Sequence, residues 1–378
     1  PKDLFLRHTY LASFAKILNF LVFSRGSVPS PDEAAEIIKG EVSGPFPDNL
    51  FDEDLFSWAG ESEEGLEMVR NFIDTLLNFN LGRIDRDIFK QLYQQMVSPG
   101  VRHDLGEYYT PDWLAAYVIQ ELDLESEASV LDPGAGSGTF LVEAIRHKID
   151  QNERETADFL EDLQQEVVGI DVHPLAVAIA KANYVAAIED LLSERRGHFS
   201  IPVYLADSLA LKLRFGDELS TTDLGGAEVL EEPVEVWNGE YTYSIPSKGV
   251  NSPAEFNQAL DIVTDYLNDG SGFKWELQRE IPEFEDITHV FEDIRSEMSR
   301  AKRDKRDSIH AFIIRNFSRP LQLMGQNFDA IIGNPPFLTY NRMGGEQQEN
   351  VKELLSYYNL HPGGGNVVNM DISTLFLS

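Results

Sequence analysis

A short tetrapeptide, Asn334-Pro335-Pro336-Phe337, combines the residue types best suited to recognising a planar group that carries an NH2. It follows an apolar run that reads as a strand. The two prolines fix φ and remove two N–H donors, so the carbonyl oxygens beside them have no ladder partner. The Asn334 amide adds an acceptor, and Phe337 adds a flat apolar face. The segment is predicted to accept both hydrogens of an exocyclic amino group, although a Pro-rich turn after an edge strand would contain the same residues.

A glycine-rich turn lies upstream, between a buried strand that starts at Val130 and a helix predicted over 139–145. Gly134, Gly136 and Gly138 are expected to take backbone conformations closed to other residues and to let a ligand approach the backbone closely. Their spacing is G-x-G-x-G, which differs from the G-x-G-x-x-G of dinucleotide-binding folds. The turn predicts a ligand site but does not by itself identify the ligand.

Carboxylates follow three predicted strands. Asp132 ends the first strand, Asp171 ends a strand over 167–171, and Asp207 follows a strand over 201–206. Ligands of open α/β sheets bind beyond the carboxyl ends of the strands, where an acid suits the two hydroxyls of a ribose. Each acid alone is more often a helix cap or a solvated loop residue. Because they share one topological position with Asn334, we expect all four side chains to line one crevice.

In combination, these motifs resemble those of class I S-adenosylmethionine-dependent methyltransferases. More narrowly, they are similar to the amino-group DNA methyltransferases of restriction-modification and phage-defence systems, of the type IIG or type I modification-subunit kind. The resemblance covers roughly residues 80–212 and 325–378. It implies that S-adenosylmethionine is the cofactor, with Asp171 at its ribose and Asp207 at its adenine. The implied catalytic residues are Asn334, Pro335, Pro336 and Phe337; the implied cofactor-binding residues are Tyr109, Thr110, Pro111, Asp132, Gly134, Gly136, Gly138, Asp171 and Asp207; no metal is implied.

One of these segments, 106–111, is similar to the family element that closes over the methionine end of the cofactor. Thr110 is predicted to cap a helix over 112–122, with Pro111 as its first residue. An ordinary capped helix would have the same residues. The order of the motifs, with this segment first and the tetrapeptide last, resembles that of N6-adenine enzymes.

The expected reaction is site-specific methyl transfer to the N6 amino group of an adenine flipped out of double-stranded DNA. Acceptors at Asn334 and the Pro335 carbonyl would favour a pyramidal nitrogen, without a covalent intermediate or a metal. Phe337 would stack on the flipped base. The family often has Tyr at this position, and Phe retains the stacking surface.

Other functions fit some of the same residues. The sequence has no cysteine, which excludes C5-cytosine methyltransferases because they need a thiolate. N4-cytosine enzymes more commonly have Ser in place of Asn334. Enzymes that methylate guanine N2 in ribosomal RNA or protein glutamine share the tetrapeptide. A non-catalytic DNA-binding subunit is a further alternative, against which the full set of motif residues argues.

The composition bears on the partners. A net charge of -33 over 378 residues is unusual for a DNA-binding protein. We expect a basic recognition surface elsewhere in a longer protein, a high-salt (halophile-like) cytoplasm, or both; otherwise DNA is not the substrate. A fused or separate nuclease or recognition subunit is an expected partner. No apolar run reaches the roughly 18 residues of a membrane span, and no secretory signal is present, so the expected location is a prokaryotic cytoplasm.

The predicted fold class is α/β, with a Rossmann-like methyltransferase core of seven-stranded type, truncated in this chain. Residues 1–100 are predicted to form a helical N-terminal region. Its periodic stretches lie over 5–18 and 65–77, with an acidic, Pro- and Gly-containing segment over 27–63 between them. Residues 101–212 form the first, cofactor-binding part of the core, and 325–378 its second, catalytic part. Residues 213–324, about 110 residues, are too many for a plain loop, and an α+β insertion is expected there.

Within the insertion, Asn238-Gly239 predicts a hairpin with a type I′ turn. Ser252 and Glu255 predict a capping box for a helix ending near Gly270. A longer helical stretch is predicted over about 287–316. It contains the basic cluster of the chain, which is either a solvated helix face or a surface that contacts DNA phosphates. The basic cluster comprises Arg295, Arg300, Lys302, Arg303, Lys305 and Arg306.

Overall fold

The structure of the chain is a computed structural model that contains helices, a parallel sheet and an antiparallel hairpin. It describes residues 2–24, 27–76, 110–209, 231–246, 253–324 and 327–375, apart from gaps at 43, 45, 48, 52–55, 198, 207, 237–239, 306–309, 339, 341–342, 344–347, 349–350, 353, 357–359, 361–372 and 374. The helices are α1 (Lys2–Phe23), α2 (Pro31–Lys39), α3 (Glu63–Leu76), α4 (Asp112–Glu121), α5 (Thr139–Gln151), α6 (Thr156–Glu166), α7 (Pro174–Ile188), α8 (Pro253–Asp265), α9 (Phe273–Glu280), α10 (Thr288–Arg303) and α11 (His310–Met324). The strands are β1 (Val130–Asp132), β2 (Val167–Asp171), β3 (Val203–Leu205), β4 (Glu231–Val236), β5 (Tyr241–Pro246) and β6 (Ala330–Ile331).

The chain divides into two compact units. The first comprises Pro1–Leu213 and Phe328–Ser378, and the second comprises Arg214–Asn327. No helix within the described ranges combines the length and apolar character that crossing a membrane requires.

The first unit is built on a parallel sheet with the order β3-β2-β1-β6. This α/β arrangement with the first strand in the interior confirms the predicted fold class. β2 is buried along Val167–Ile170 because helices cover the sheet. Although Ala330 and Val130 are 200 residues apart, β6 pairs directly with β1. The order places the loop that follows β6 beside the loop that follows β1.

The N-terminal helices share one hydrophobic core with the sheet, to which Ile17 and Leu21 of α1 contribute. Asn49 also links the N-terminal region to the segment before β3 by hydrogen bonds. Its Nδ2 donates to the Ile201 carbonyl at 2.8 Å, and its Oδ1 accepts from the Ile201 N–H at 2.7 Å. Lys181 on α7 donates to the Asn49 carbonyl at 2.7 Å. In the described residues, this region packs as part of the first unit.

The second unit contains the β4–β5 hairpin with helices α8 to α11. Val236 pairs with Tyr241 in antiparallel register, as the predicted hairpin requires; its turn, 237–239, lies outside the described residues. Aromatic side chains form much of the core, including Phe284 stacked on Phe291 at 5.2 Å between centroids. The hydroxyl of Tyr243 and Nδ1 of the buried His310 share a hydrogen bond.

Several predicted boundaries were wrong. The helical stretch predicted over about 287–316 consists of two helices, α10 and α11, the second of which continues to Met324, and Lys305 after α10 has φ 58°. The helix expected to end near Gly270 ends at Asp265, and its predicted cap Ser252 lies outside the described residues. The third strand is shorter than the predicted 201–206. Helix α2 was not predicted.

Candidate active site

The glycine loop between β1 and α5 takes a conformation that two of its three glycines require. Gly136 has φ 54°, and Gly138 has φ 79° at the N-cap of α5. A Cβ on Gly138 would lie 3.2 Å from Ala180 on α7, whereas a Cβ on Gly136 would meet nothing within 4 Å. Gly138 therefore serves close helix packing, and Gly136 borders open space. Gly134 does not have a positive φ, which corrects that part of the prediction.

Asp171 ties the glycine loop to the end of β2. Its Oδ2 accepts from the Gly136 N–H and its Oδ1 from the His173 N–H, each at 2.8 Å. Within the loop, the Ala135 N–H donates to the Ile170 carbonyl at 2.8 Å. The side chain of Asp171 is half-buried. This acid, predicted to contact a ribose, is therefore held at the mouth of the loop by two backbone donors.

Asp132 lies fully buried at the end of β1. Its Oδ1 accepts from the Gly134 N–H at 3.1 Å. Its Oδ2 has no hydrogen-bond partner within the described part of the chain. Burial raises the pKa of this carboxyl to about 8, the Gly134 bond opposes the rise, and the charge of Asp171 adds to it. A buried carboxyl with an unpaired oxygen is unusual in a structural role and points to a ligand.

The tetrapeptide follows β6 after two residues, Ile332 and Gly333. The Ile332 N–H donates to the Leu131 carbonyl at 2.9 Å, which extends the pairing with β1. A Cβ on Gly333 would lie 2.8 Å from Asp132 Oδ1. Asn334, Pro335 and Pro336 are partly exposed, and Phe337 is 50% exposed. The tetrapeptide thus presents an exposed apolar ring beside partly exposed acceptors.

The structure brings these predicted residues to one edge of the sheet, where β1, β2 and β6 end side by side. Asp207 and Tyr109 lie outside the described residues. The two neighbours of Asp207 are described: the Ala206 N–H donates to the Asp171 carbonyl at 3.0 Å, and Ser208 Oγ donates to the Pro133 carbonyl at 2.6 Å.

Thr110 is buried, and the N-cap of the helix that follows lies one residue later than predicted. Pro111 is its N-cap, with ψ 138°, and α4 starts at Asp112. The extended ψ of Pro111 prevents it from being the first helical residue. Its carbonyl accepts from the N–H groups of Leu114 and Ala115. The predicted roles of Thr110 as cap and Pro111 as first residue were therefore wrong by one position.

His173, which lies two residues after Asp171, has two contacts that were not predicted from the sequence. His173 caps α7, accepting from the Ala176 N–H at 3.4 Å, and its ring lies 4.8 Å from the ring of His8 on α1. Burial, aided by the charge of His173, lowers the pKa of His8 to about 4. Burial also lowers the pKa of His173, against the charge of Asp171. The position of His173 before Pro174 was the available signal for its capping role.

The predicted basic cluster in the second unit is only partly available to a ligand. Arg300 pairs with Glu297, donates to the Glu240 carbonyl at 2.5 Å and lies 4.5 Å from the Tyr241 ring centroid. Arg295 lies 5.5 Å from the Phe273 ring centroid. Arg303 and Lys305 are exposed, and Lys302 is partly buried. Arg306 lies outside the described residues.

Residues 84–197 match the family described as N-6 DNA Methylase, and residues 165–378 match the family described as Eco57I restriction-modification methylase. The second match covers more than half of the chain.

Two curated relatives match shorter regions. The Escherichia coli type I restriction enzyme EcoEI methylase subunit is 30% identical over 97 residues, which cover 26% of this chain and 19% of the relative. The Methanocaldococcus jannaschii MjaVII methylase subunit is 30% identical over 91 residues, 24% of this chain and 16% of the relative. The chain thus matches less than a fifth of either relative's length.

Among solved structures, a nuclease-deletion mutant of the Type ISP restriction-modification enzyme LlaGI, in complex with a DNA substrate mimic, aligns with a TM-score of 0.46 and 13% identity. The alignment covers 100% of this chain and 26% of that chain.

Proposed function

Because the chain belongs to the family of Eco57I restriction-modification methylases, we propose that it transfers a methyl group from S-adenosylmethionine to the N6 amino group of an adenine in DNA. The observation that carries the proposal is the pairing of β1 with β6. It brings the glycine loop and the Asn334 loop to the same edge of the sheet, which is where open α/β sheets bind their ligands. A methyl donor and a methyl acceptor can then meet across two adjacent loops.

The residues at this edge fit the proposed cofactor. Gly136 borders open space, and the buried Asp132 Oδ2 has no partner in the described residues. S-adenosylmethionine supplies, when bound, a methyl group on a positively charged sulfur. We propose that the backbone of the glycine loop lies against the cofactor. Asp171 would then accept hydrogen bonds from its ribose, and Asp207 would accept one from its adenine. Tyr109, Thr110 and Pro111 are proposed to lie at the methionine end.

Asn334 and Pro335 are proposed to orient the amino group of the target base. Its nitrogen is a poor nucleophile because its lone pair is delocalised into the ring. Two acceptors, the Asn334 amide oxygen and the Pro335 carbonyl, would draw the two N–H bonds out of the ring plane and expose the lone pair. Positioning and electrostatic stabilisation of this kind need no covalent intermediate. Pro336 keeps the loop rigid, since its φ is fixed.

Phe337 is proposed to hold the base after it leaves the duplex. A base that is still stacked in the duplex cannot reach a loop at a sheet edge, so it must be flipped out. The half-exposed ring of Phe337 offers a stacking surface, and base–aromatic stacking contributes about 1–3 kcal/mol. Double-stranded DNA is therefore the proposed partner, with a nuclease or recognition subunit as a further one in a restriction-modification system.

The test is a transfer assay with tritiated S-adenosylmethionine on DNA, RNA and protein substrates, followed by identification of the labelled product. We expect label in N6-methyladenine. Asn334→Ala should abolish transfer and leave cofactor affinity within a few-fold of the wild type. Asn71→Ala, on the exposed face of α3, is the matched control and should retain full activity.

Two outcomes would contradict the proposal. Label in N4-methylcytosine, guanine N2 or protein glutamine would assign the acceptor to another amino or amide group. Full activity in Asn334→Ala would remove this residue from the catalytic role.

A further inference from the structure

The Asp132 carboxyl is enclosed by two loops that satisfy only one of its oxygens. Oδ1 accepts from Gly134 on the glycine loop and lies against Gly333 on the tetrapeptide loop, where a Cβ would come within 2.8 Å. Oδ2 is equally buried and has no hydrogen-bond partner among the described residues. An ionised carboxylate in this position would leave one charged oxygen with neither solvent nor a donor from the described residues, which is strongly unfavourable.

The surroundings of Asp132 contain no compensating positive charge in the described part of the chain. From β2, the neighbouring charge is that of the acid Asp171, which raises the Asp132 pKa. The glycine loop contributes backbone N–H groups, and Ser208 after β3 bonds to the Pro133 carbonyl. The loop after β6 contributes Gly333 and the uncharged Asn334. With its pKa raised to about 8, mainly by burial, the carboxyl is protonated in the free protein at pH 7.

We infer that the Asp132 carboxyl gives up its proton to the solvent when the cationic cofactor binds, so that cofactor binding is linked to the release of one proton. The inference rests on the proposed function, because it needs S-adenosylmethionine to be the ligand. The O–H bond of the carboxylic acid breaks, the electron pair remains on the carboxylate, and the proton passes to buffer. The carboxylate then balances the positive charge that the cofactor brings into a buried site.

The linkage has a defined pH dependence. Below pH 8, binding must remove a proton, so the cofactor association constant should rise about tenfold per pH unit. Above pH 8 the carboxyl is already ionised in the free protein, and this contribution to the pH dependence should disappear. His8 and His173 do not produce the same effect near pH 7, because their lowered pKa values keep them neutral there.

Isothermal titration calorimetry in buffers of different ionisation enthalpy measures the protons released on binding. With the whole chain and S-adenosylmethionine at pH 7, we expect about 0.9 proton from Asp132 in the wild type, falling to about 0.1 or below at pH 9. Asp132→Asn keeps the shape of the neutral acid and should lack this release. Asp150→Asn removes a charge from the exposed end of α5 and should match the wild type.

Equal proton release by the wild type and Asp132→Asn would overturn the inference while leaving the proposed function intact. If Asp132→Asn does not bind the cofactor at all, the wild type provides the test. Proton release by the wild type that stays the same between pH 7 and pH 9 would overturn the inference. Absence of any cofactor binding by both the wild type and Asp150→Asn would instead show that the proposed function has failed, and the inference would fail with it.

Discussion

The backbone N–H of Gly136 donates a 2.8 Å hydrogen bond to Oδ2 of Asp171. This bond joins the middle of the glycine loop to the end of the neighbouring strand, and the loop residue that makes it has a positive φ. The conformation of the loop and the position of the acid are therefore coupled. The loop and the acid thus hold each other in place before a ligand binds. Less conformational entropy is then lost when the ligand binds to either of them.

Asp171→Ala is the first test of this coupling. The change leaves the N–H groups of Gly136 and His173 without their acceptor and removes a carboxylate from the proposed ribose site. Hydrogen bonds to charged groups contribute about 1.5–3 kcal/mol, so the dissociation constant for S-adenosylmethionine should rise roughly 10- to 100-fold. Titration calorimetry measures it, with Asp150→Ala as the control. An unchanged dissociation constant would mean that Asp171 neither contacts the cofactor nor positions the glycine loop for it.

Gly333→Ala tests the contact between the two loops. Its methyl group would lie 2.8 Å from Asp132 Oδ1, so either the carboxyl or the tetrapeptide must move. We expect a loss of about 1–3 kcal/mol in the free energy of unfolding, as for other overpacked sites. Because Asn334 follows Gly333, kcat for methyl transfer should fall more than cofactor affinity does. Urea unfolding and steady-state kinetics measure the two effects.

The comparison for this substitution is Gly136→Ala. Its Cβ would meet nothing within 4 Å, but its φ of 54° is unfavourable for alanine by about 1–2 kcal/mol. Backbone strain should lower the stability of this variant, and its cofactor affinity should fall more than its kcat. If both variants changed kcat and affinity in the same proportion, the proposed division between a donor loop and an acceptor loop would be wrong.

Asp132→Asn should change how stability depends on pH without any ligand. Burial raises the pKa of Asp132 from 3.8 to about 8. Between these values the folded protein holds a proton that the unfolded chain has lost, so this group makes stability fall as pH rises, by about 1.4 kcal/mol per unit, until pH 8. The variant lacks this component. Its stability relative to the wild type should therefore increase from pH 6 to pH 8, as measured by urea unfolding.

Asp329→Asn provides the matched control for that experiment. Asp329 lies just before β6 and accepts from the N–H and Oγ of Ser129, and the backbone bond is the main cause of its lowered pKa. Its contribution to stability is present above its unfolded pKa and is lost only as pH falls below that range. Between pH 6 and 8 its difference from the wild type should be constant. If the difference in stability between Asp132→Asn and the wild type were also constant from pH 6 to pH 8, the raised pKa of Asp132 would be contradicted.

The sequence predicted best where local chemistry decides the structure. β2 was predicted as an apolar run ending in Asp171, and α7 begins at Pro174, as its place in the first turn indicated. Helix α2 had an equally local signal in Ser30 and Glu33, which form a capping box, but the acidic, Pro-containing segment around it concealed the helix. The break after α10 has no such signal, because Lys305 rather than glycine takes the positive φ.

Contacts between distant residues explain what the sequence could not predict about the site. The burial of Asp132 depends on the approach of Gly333, far along the chain, and neither residue type indicates it. The bonds between Asn49 and Ile201 are of the same kind. A strand-end acid predicts a ligand contact, but it does not predict that one oxygen of this acid is buried without a partner among the described residues, beside a strand as distant in sequence as β6.

Charge reversal at Arg303 tests whether the end of α10 contacts DNA. Arg303 is exposed, whereas Arg300 is engaged by Glu297 and Tyr241. If Arg303 contacts a phosphate, Arg303→Glu should weaken DNA binding at all sequences alike, and the slope of log K against log salt should become shallower by about 1.

Arg279→Glu makes the same charge change on α9, where Arg279 already pairs with Glu276, and should leave the slope unchanged. Fluorescence anisotropy with a labelled duplex at several salt concentrations measures both variants. Identical slopes for the two would identify the basic cluster as a solvated helix face and place the phosphate contacts elsewhere.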